Sequence, residues 1–147
     1  MNILISACLL GLACRYDGAI SRAAFDDDTI KRLTSEHNLV PFCPEIYGGL
    51  RTPREPAELQ SGKVMSKIGS DVTESYTKGA REALKIAKLL GCKAAILKEK
   101  SPSCGSGKIY DGSFTGTLTD GDGITARLLS ENGIAIYGES DIAELIK

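Results

Sequence analysis

The sequence predicts an α/β protein: a three-layer Rossmann-like fold around a small, mainly parallel sheet of about four strands. Four short apolar runs, at 3–6, 39–42, 94–97 and 134–137, are continuous rather than alternating, as strands covered on both faces are. Amphipathic helical stretches lie between these runs. Strand–helix alternation joins parallel strands by right-handed crossovers, which places helices on both faces of the sheet.

The first apolar run extends from Ile3 to Leu12. No Lys or Arg precedes it, and Arg15, Tyr16 and Asp17 stand where a signal-peptide cleavage site would need small residues. It is too short to span a bilayer, so it reads as a buried strand with its following turn, and the expected location is cytoplasmic. A helix is expected over 29–37, with Ile30 and Leu33 on one face behind the acidic start Asp26 to Asp28. The segment 48–68 holds Pro53 and Pro56, has no clean period, and reads as a long surface excursion. The clearest helix starts with Asp71 as cap and Glu74 three positions later. It carries Val72, Tyr76, Ala80, Ala83, Leu84, Ala87 and Leu90 and stops at Gly91. The Gly- and Ser-rich stretch 101–123 contains Asp111-Gly112, which predicts a small hairpin between 108–110 and 113–115. A helix follows over 124–131, with Leu128 and Leu129, stopping near Gly133. Ser140 is the expected cap of a last short helix through Ile146. There is no internal repeat, and residues 1–147 read as one domain.

Composition narrows the function. The 147 residues are 42% hydrophobic and 25% charged, with a formal net charge of -1. No global field draws in nucleic acid or an anionic membrane, so neither is an expected partner. With no Trp, five Tyr and three Phe, a stacking platform for single strands is not expected. Gly107-Lys108 sits in a glycine-rich loop but lacks the spacing of a phosphate-binding P-loop, since Ile109 follows the lysine. His37, the one histidine, is expected to be solvated near a helix end.

The five cysteines are an odd set without a C-x-x-C pair, which argues against a disulfide framework, a zinc ribbon or a thioredoxin-type couple. Ligands of such sheets bind beyond the carboxyl ends of the strands. Cys8 follows the first strand, Cys43 the second, and Cys104 lies in the loop after the third. Cys92 falls at the opposite end, and Cys14 is a reserve further along the first loop. Three thiols on one rim suit a soft metal: an iron–sulfur cluster, copper(I) or zinc. The bland alternative is buried or redox cysteines, because cluster ligands often come in compact runs and these are scattered. Glu45 has a bland reading too, capping a turn or pairing with Arg51. Asp17 reads as a turn former, and Arg15, Arg51 and Arg54 as anion holders or surface ion pairs.

Three blocks occur in order: Ser6-Ala7-Cys8-Leu9-Leu10-Gly11 with Cys14-Arg15-Tyr16-Asp17-Gly18; Pro41-Phe42-Cys43-Pro44-Glu45 with Pro53-Arg54-Glu55-Pro56; and Ser101-Pro102-Ser103-Cys104-Gly105. Over essentially its whole length the chain resembles the thiouracil desulfurase family, formerly a bacterial domain of unknown function. The resemblance implies a [4Fe-4S] cluster held by Cys8, Cys43 and Cys104, with the fourth iron free of protein ligand. It implies a non-redox enzyme acting on a small-molecule thiolated base, of the 2-thiouracil to uracil type, with the sulfur leaving onto that unique iron. Glu45 and Ser101 carry over by motif as catalytic residues, with Ser103 as a substrate-binding candidate; Arg15 and Arg54 join the substrate-binding candidates on their charge alone. Two other uses of the same cysteines are sulfur transfer to an acceptor such as RNA, and metal or redox sensing without turnover. The first would want a basic patch and an ATP site, and the second leaves Glu45 and Ser101 without purpose. The identity of the thiolated base and the oligomeric state are not written in the sequence.

Overall fold

The computed structural model describes residues 1–18 and 25–146. In chain order the first half comprises β1 (Asn2–Ser6), α1 (Asp27–Glu36), β2 (Asn38–Phe42), α2 (Pro44–Tyr47), β3 (Ala57–Gln60) and β4 (Lys63–Ser66). The second half comprises α3 (Thr73–Leu89), β5 (Ala94–Leu97), β6 (Lys108–Tyr110), β7 (Leu118–Asp120), α4 (Ile124–Glu131) and β8 (Ala135–Gly138). Short 3-10 turns follow β1 (Ala7–Leu10) and β8 (Glu139–Glu144).

The main sheet has the order β2-β1-β5-β8 and is parallel throughout, as the four apolar runs predict. Its two central strands separate their side chains strictly by parity. Ile3, Ile5, Ala94 and Ile96 join Leu9, Leu33 of α1 and Leu145 on one face. Leu4, Ala95 and Leu97 join Phe42, Ala83 and Ala87 of α3 and Leu129 of α4 on the other. Each layer is a continuous apolar core, and burial of this kind contributes about 25 cal/mol per Å² removed from water. β2 and β8 are the sheet edges and are only half covered. Pro41 sits in β2 because an edge strand can spare one ladder donor. Among the described residues no helix is long and apolar enough to cross a membrane.

Several local expectations are corrected. The excursion 48–68 contains an antiparallel ribbon, β3 with β4, turned by Ser61 and Gly62, both at positive φ (49° and 82°). The hairpin near Asp111 exists, but the partner of β6 is β7, because residues 111–117 form a wider loop than a two-residue turn allows. Asp71 does not cap α3. The N-cap is Val72, and Asp71 instead accepts from the Thr73 backbone N–H at 2.9 Å. Ser140 lies inside the final 3-10 turn, whose N-cap is Gly138, and it donates backbone N–H and hydroxyl to Glu99 Oε1 at 2.7 and 2.5 Å. His37 is not solvated. Its ring bonds the Leu145 carbonyl at 3.1 Å and the N-terminal amine at 3.3 Å.

One contact sets the position of α2. A Cβ on Gly79 of α3 would stand 1.8 Å from the Pro44 carbonyl oxygen, and one on Gly48 would stand 2.1 Å from that of Ser75. The two short segments therefore meet backbone to backbone, and only glycine at both places lets α2 sit against α3.

Candidate active site

β1, β2 and β5 end on one cleft of about 850 Å³, and Cys8, Cys14, Cys43 and Cys104 all line it. Cys8 is placed by the 3-10 turn that Gly11 closes at φ 82°. Cys43 immediately follows β2 as the N-cap of α2. Cys104 lies in the loop after β5. Cys92 is buried in the α3–α4 layer, away from the cleft, as its place before β5 predicts. All five cysteines are free thiols. A second, more open groove along Arg81, Leu84, Lys88 and Leu128 holds no thiol or carboxylate among its walls.

The Cys104 loop is fixed through its main chain. The first N–H groups of α4, which have no partner inside the helix, bond loop carbonyls: Ile124 to Pro102 at 2.9 Å, and Thr125 and Ala126 to Ser103 at 2.8 and 3.1 Å. Gly123 N–H bonds the Gly105 carbonyl at 2.7 Å, and a Cβ on Gly123 would collide with the Ser103 carbonyl carbon at 2.5 Å. Ser101 Oγ accepts the Cys104 N–H at 2.7 Å. Ser6, at the end of β1, donates to Cys104 Sγ at 3.4 Å and accepts the Lys98 N–H at 3.0 Å.

Burial and mutual contact keep Cys14, Cys43 and Cys104 protonated. Burial pushes Cys104 up to about 12, against hydrogen bonds from Ser6 and Ser103 that pull it down. The side-chain contact with Cys14, then burial, raises Cys43 far above the ordinary thiol range. Cys14 is drawn down by Cys43, but contact with Cys8 and burial carry it up to about 11. Cys14 therefore touches both neighbouring thiols of the first two loops, a closer place than its distance along the chain implies.

Glu45, two residues past Cys43, is one of the cleft's carboxylates and the one linked to the Cys104 loop through Ser103. Its Oε1 accepts from Tyr76 Oη at 2.7 Å and from Arg54 Nε at 3.1 Å. Its Oε2 accepts from Ser103 Oγ at 3.2 Å. The ion-pair partner is thus Arg54 and not Arg51, because Arg54 turns inward while Arg51 stays exposed and lends only its carbonyl. The remaining Arg54 donors reach the Arg51 carbonyl, Thr52 Oγ1 and the Cys14 carbonyl at 3.2, 3.0 and 2.8 Å. Ser103 also reaches Cys104 Sγ at 3.6 Å and Ser101 Oγ at 3.4 Å. Arg15 stays at the rim, paired with Asp17 at 3.5 Å and 6.0 Å over the Tyr16 ring.

Tyr76 escapes a reading of the sequence because helical spacing assigns it to the core. The one signal is its hydroxyl: a tyrosine buried to 2% exposure needs a partner. Burial, the Glu45 charge and its hydrogen bond to Glu45 push its pKa well above the ordinary phenol range, so it remains a donor. Ser6 is missed for the same reason, as a small residue closing a buried strand.

Parallel strands delivering thiols, a held carboxylate and hydroxyls to one cleft define an α/β enzyme with a soft-metal centre. The chain belongs to the 2-thiouracil desulfurase family, whose model matches residues 3–141. It is 44% identical over 154 aligned positions to the uncharacterized protein YbbK of Bacillus subtilis (strain 168), covering 98% of this chain and 99% of that one. Among solved structures it is similar to a [4Fe-4S]-dependent thiouracil desulfidase, TudS. The TM-score is 0.91 and the identity 44%, covering 98% of this chain and 94% of that one.

Proposed function

We propose that this protein removes sulfur from a thiolated pyrimidine base by non-redox hydrolysis, with Cys8, Cys43 and Cys104 holding a [4Fe-4S] cluster. The donor set fits such a group. The thiols come from three separate loops around a roomy cleft. Among the described residues no three His, Cys, Asp or Glu draw together tightly enough for a single ion. When bound, the cluster supplies an iron with an open position, a Lewis acid soft enough to receive a thiocarbonyl sulfur.

The carrying observation is Glu45: a carboxylate held on the cleft between Cys43 and Cys104 by donors on both oxygens. Tyr76 and Arg54 saturate Oε1 and fix the group's plane, leaving Oε2 toward Ser103 as the basic face. Glu45 takes a proton from water as the water oxygen bonds to the thiocarbonyl carbon. The C–S bond breaks, the C=O bond forms, and sulfur leaves as sulfide. The proton held by Glu45 and the hydroxyl proton released as the C=O bond forms both end on the departing sulfur, so thiocarbonyl and water become carbonyl and hydrogen sulfide with no electron gained or lost. Ser101 uses its oxygen on the Cys104 N–H, so its own hydrogen is directed to the substrate's ring edge or to the water. Ser103 gives its hydrogen to Glu45 Oε2 and so fixes that oxygen beside Ser101. Arg54 has its donors engaged by protein and acts as a positioning residue for Glu45, while Arg15, paired with Asp17 at the rim, is a cation for a substrate oxygen alongside the cleft's lysines.

The test combines iron and acid-labile sulfide content, after anaerobic reconstitution, with sulfide release from 2-thiouracil. Cys8→Ala, Cys43→Ala and Cys104→Ala should each lose the cluster, and Cys92→Ala should keep it. Glu45→Ala should keep iron and lose turnover by at least about a hundredfold, the usual share of a general base. A wild type that takes up no iron, or releases no sulfide from any thiolated pyrimidine, sinks the reading.

A further inference from the structure

We propose that Phe114 is the aromatic face against which the substrate's flat ring stacks, and that Glu58 is the positioning residue that holds it over the cleft. The inference rests on the desulfurase reading above and names what selects the base.

Glu58 lies on β3, is only 8% exposed, and lines the cleft. A carboxylate at that depth ordinarily sits beside a cation. None of the ion pairs among the described residues includes it. Its Oε1 instead accepts two backbone N–H groups of the β6–β7 loop, Gly112 at 3.0 Å and Phe114 at 3.2 Å. Gln60, two positions along β3, donates to the Gly112 carbonyl at 2.6 Å. A Cβ on Gly112 would stand 2.7 Å from the Leu59 carbonyl oxygen, so the loop is seated on β3 through its main chain. The buried charge is therefore committed to fixing one loop.

What that loop presents is Phe114. Its φ is 57°, in the left-handed region that a bulky aromatic rarely adopts. The ring does not complete the core. Phe114 is half-buried and lines the same cleft as the thiols, Glu45 and Ser101. A strained backbone and an unpaired buried carboxylate converging on one aromatic is a costly arrangement for a loop that merely needed closing. Of the other aromatics on the cleft, Phe42 and Tyr76 are packed to 2% exposure and Tyr16 lies under Arg15, while half-buried Tyr110 has its backbone held in the β6–β7 ladder opposite Leu118 and is the one alternative face.

A pyrimidine thione is planar and polarizable, and stacking recognises any such ring whatever its substituents. Phe114 therefore favours flat heterocycles over aliphatic thioamides. It does not distinguish sulfur at one ring position from sulfur at another.

The experiment uses the reconstituted holoenzyme and its Phe114→Leu, Phe114→Tyr, Glu58→Ala and Glu58→Gln variants. Iron content serves as the check on folding, and the readouts are the calorimetric Kd for uracil and the kcat and KM for 2-thiouracil and thioacetamide. Phe114→Leu should weaken uracil binding and raise KM for 2-thiouracil by roughly tenfold to a hundredfold, the scale of one base–aromatic stack. The preference for 2-thiouracil over thioacetamide should fall accordingly. Phe114→Tyr should restore both. Glu58→Ala should mimic Phe114→Leu in KM more than in kcat, and Glu58→Gln, which keeps an acceptor oxygen, should recover most of the loss. A Phe114→Leu enzyme with wild-type Kd and wild-type preference overturns the stacking assignment and leaves the desulfurase reading standing. A wild type inert toward every thiolated pyrimidine overturns both.

Discussion

The hydroxyl of Tyr76 donates to Oε1 of Glu45 at 2.7 Å, joining the first turn of α3 to the carboxylate two residues beyond Cys43. Tyr76→Phe keeps the ring and its packing and removes that donor, leaving Arg54 as the sole partner of Oε1. The expected outcome is unchanged iron content, kcat for 2-thiouracil lowered about tenfold, and KM little altered. The stability cost should be near 1 kcal/mol, the net worth of one hydrogen bond. A merely structural tyrosine would leave kcat untouched, so steady-state kinetics on the loaded variant decide the matter.

Gly79→Ala tests how Cys43 is placed. The new Cβ has nowhere to go but into the Pro44 main chain, so α2 must back away and take Cys43 and Glu45 with it. Overpacking of this kind costs about 3 kcal/mol, or roughly 10 °C in midpoint for a domain of this size. Iron retained after reconstitution should fall together with stability. The neighbouring Lys78→Ala, on the exposed side of α3, should change neither. Calorimetry with iron analysis on both variants checks the pair, and a Gly79→Ala protein with full stability would contradict the backbone contact.

The raised thiols give a pH dependence with a definite sign. A thiol that takes a metal must lose its proton, and Cys14, Cys43 and Cys104 are all held protonated at neutral pH. Cluster assembly should therefore release protons and proceed further as pH rises from about 6.5 to about 8.5, still below the ordinary thiol range. For the cluster-free protein the effect on folding runs the other way. The unfolded chain loses the Cys104 proton near 9.0, whereas the folded chain keeps it to about 12. Its contribution is intact below 9.0 and is lost across that interval. Thermal midpoints of the cluster-free protein should decline above pH 9.0, and Cys104→Ala should flatten the decline. A decline of the same slope in that variant would assign the effect to other groups.

The central sheet was legible because β1 and β5 are covered on both faces, and only unbroken apolar runs such as Leu4-Ile5 or Ala95-Ile96 satisfy that. β3 and β4 were not, since a two-stranded ribbon beside a cleft buries Val64 and Leu59 unequally and carries no steady alternation. Ser61-Gly62 between them was the one usable sign. β7 is exposed at every residue, so nothing in its side chains announces a strand. The candidate site divides in the same way. Cys8, Cys43 and Cys104 could be placed on one rim because position after a parallel strand is itself information. Which arginine meets Glu45, and that Tyr76 turns its hydroxyl to the cleft, depend on how 51–54 and α3 fold back, and local sequence does not record that. Gly48 and Gly79 are likewise legible only as a pair, far apart in the chain.

The manner in which α4 grips the loop ahead of it separates two kinds of information. The carbonyls of Pro102, Ser103 and Gly105 that hold the loop belong to the main chain, and any amino acid can supply them. Beside that mount Ser101 adds a single side-chain bond, to the Cys104 N–H, and Ser103 turns to Glu45. Alanine at either position, small enough for the space, should therefore still present Cys104 in place while changing what happens beside it.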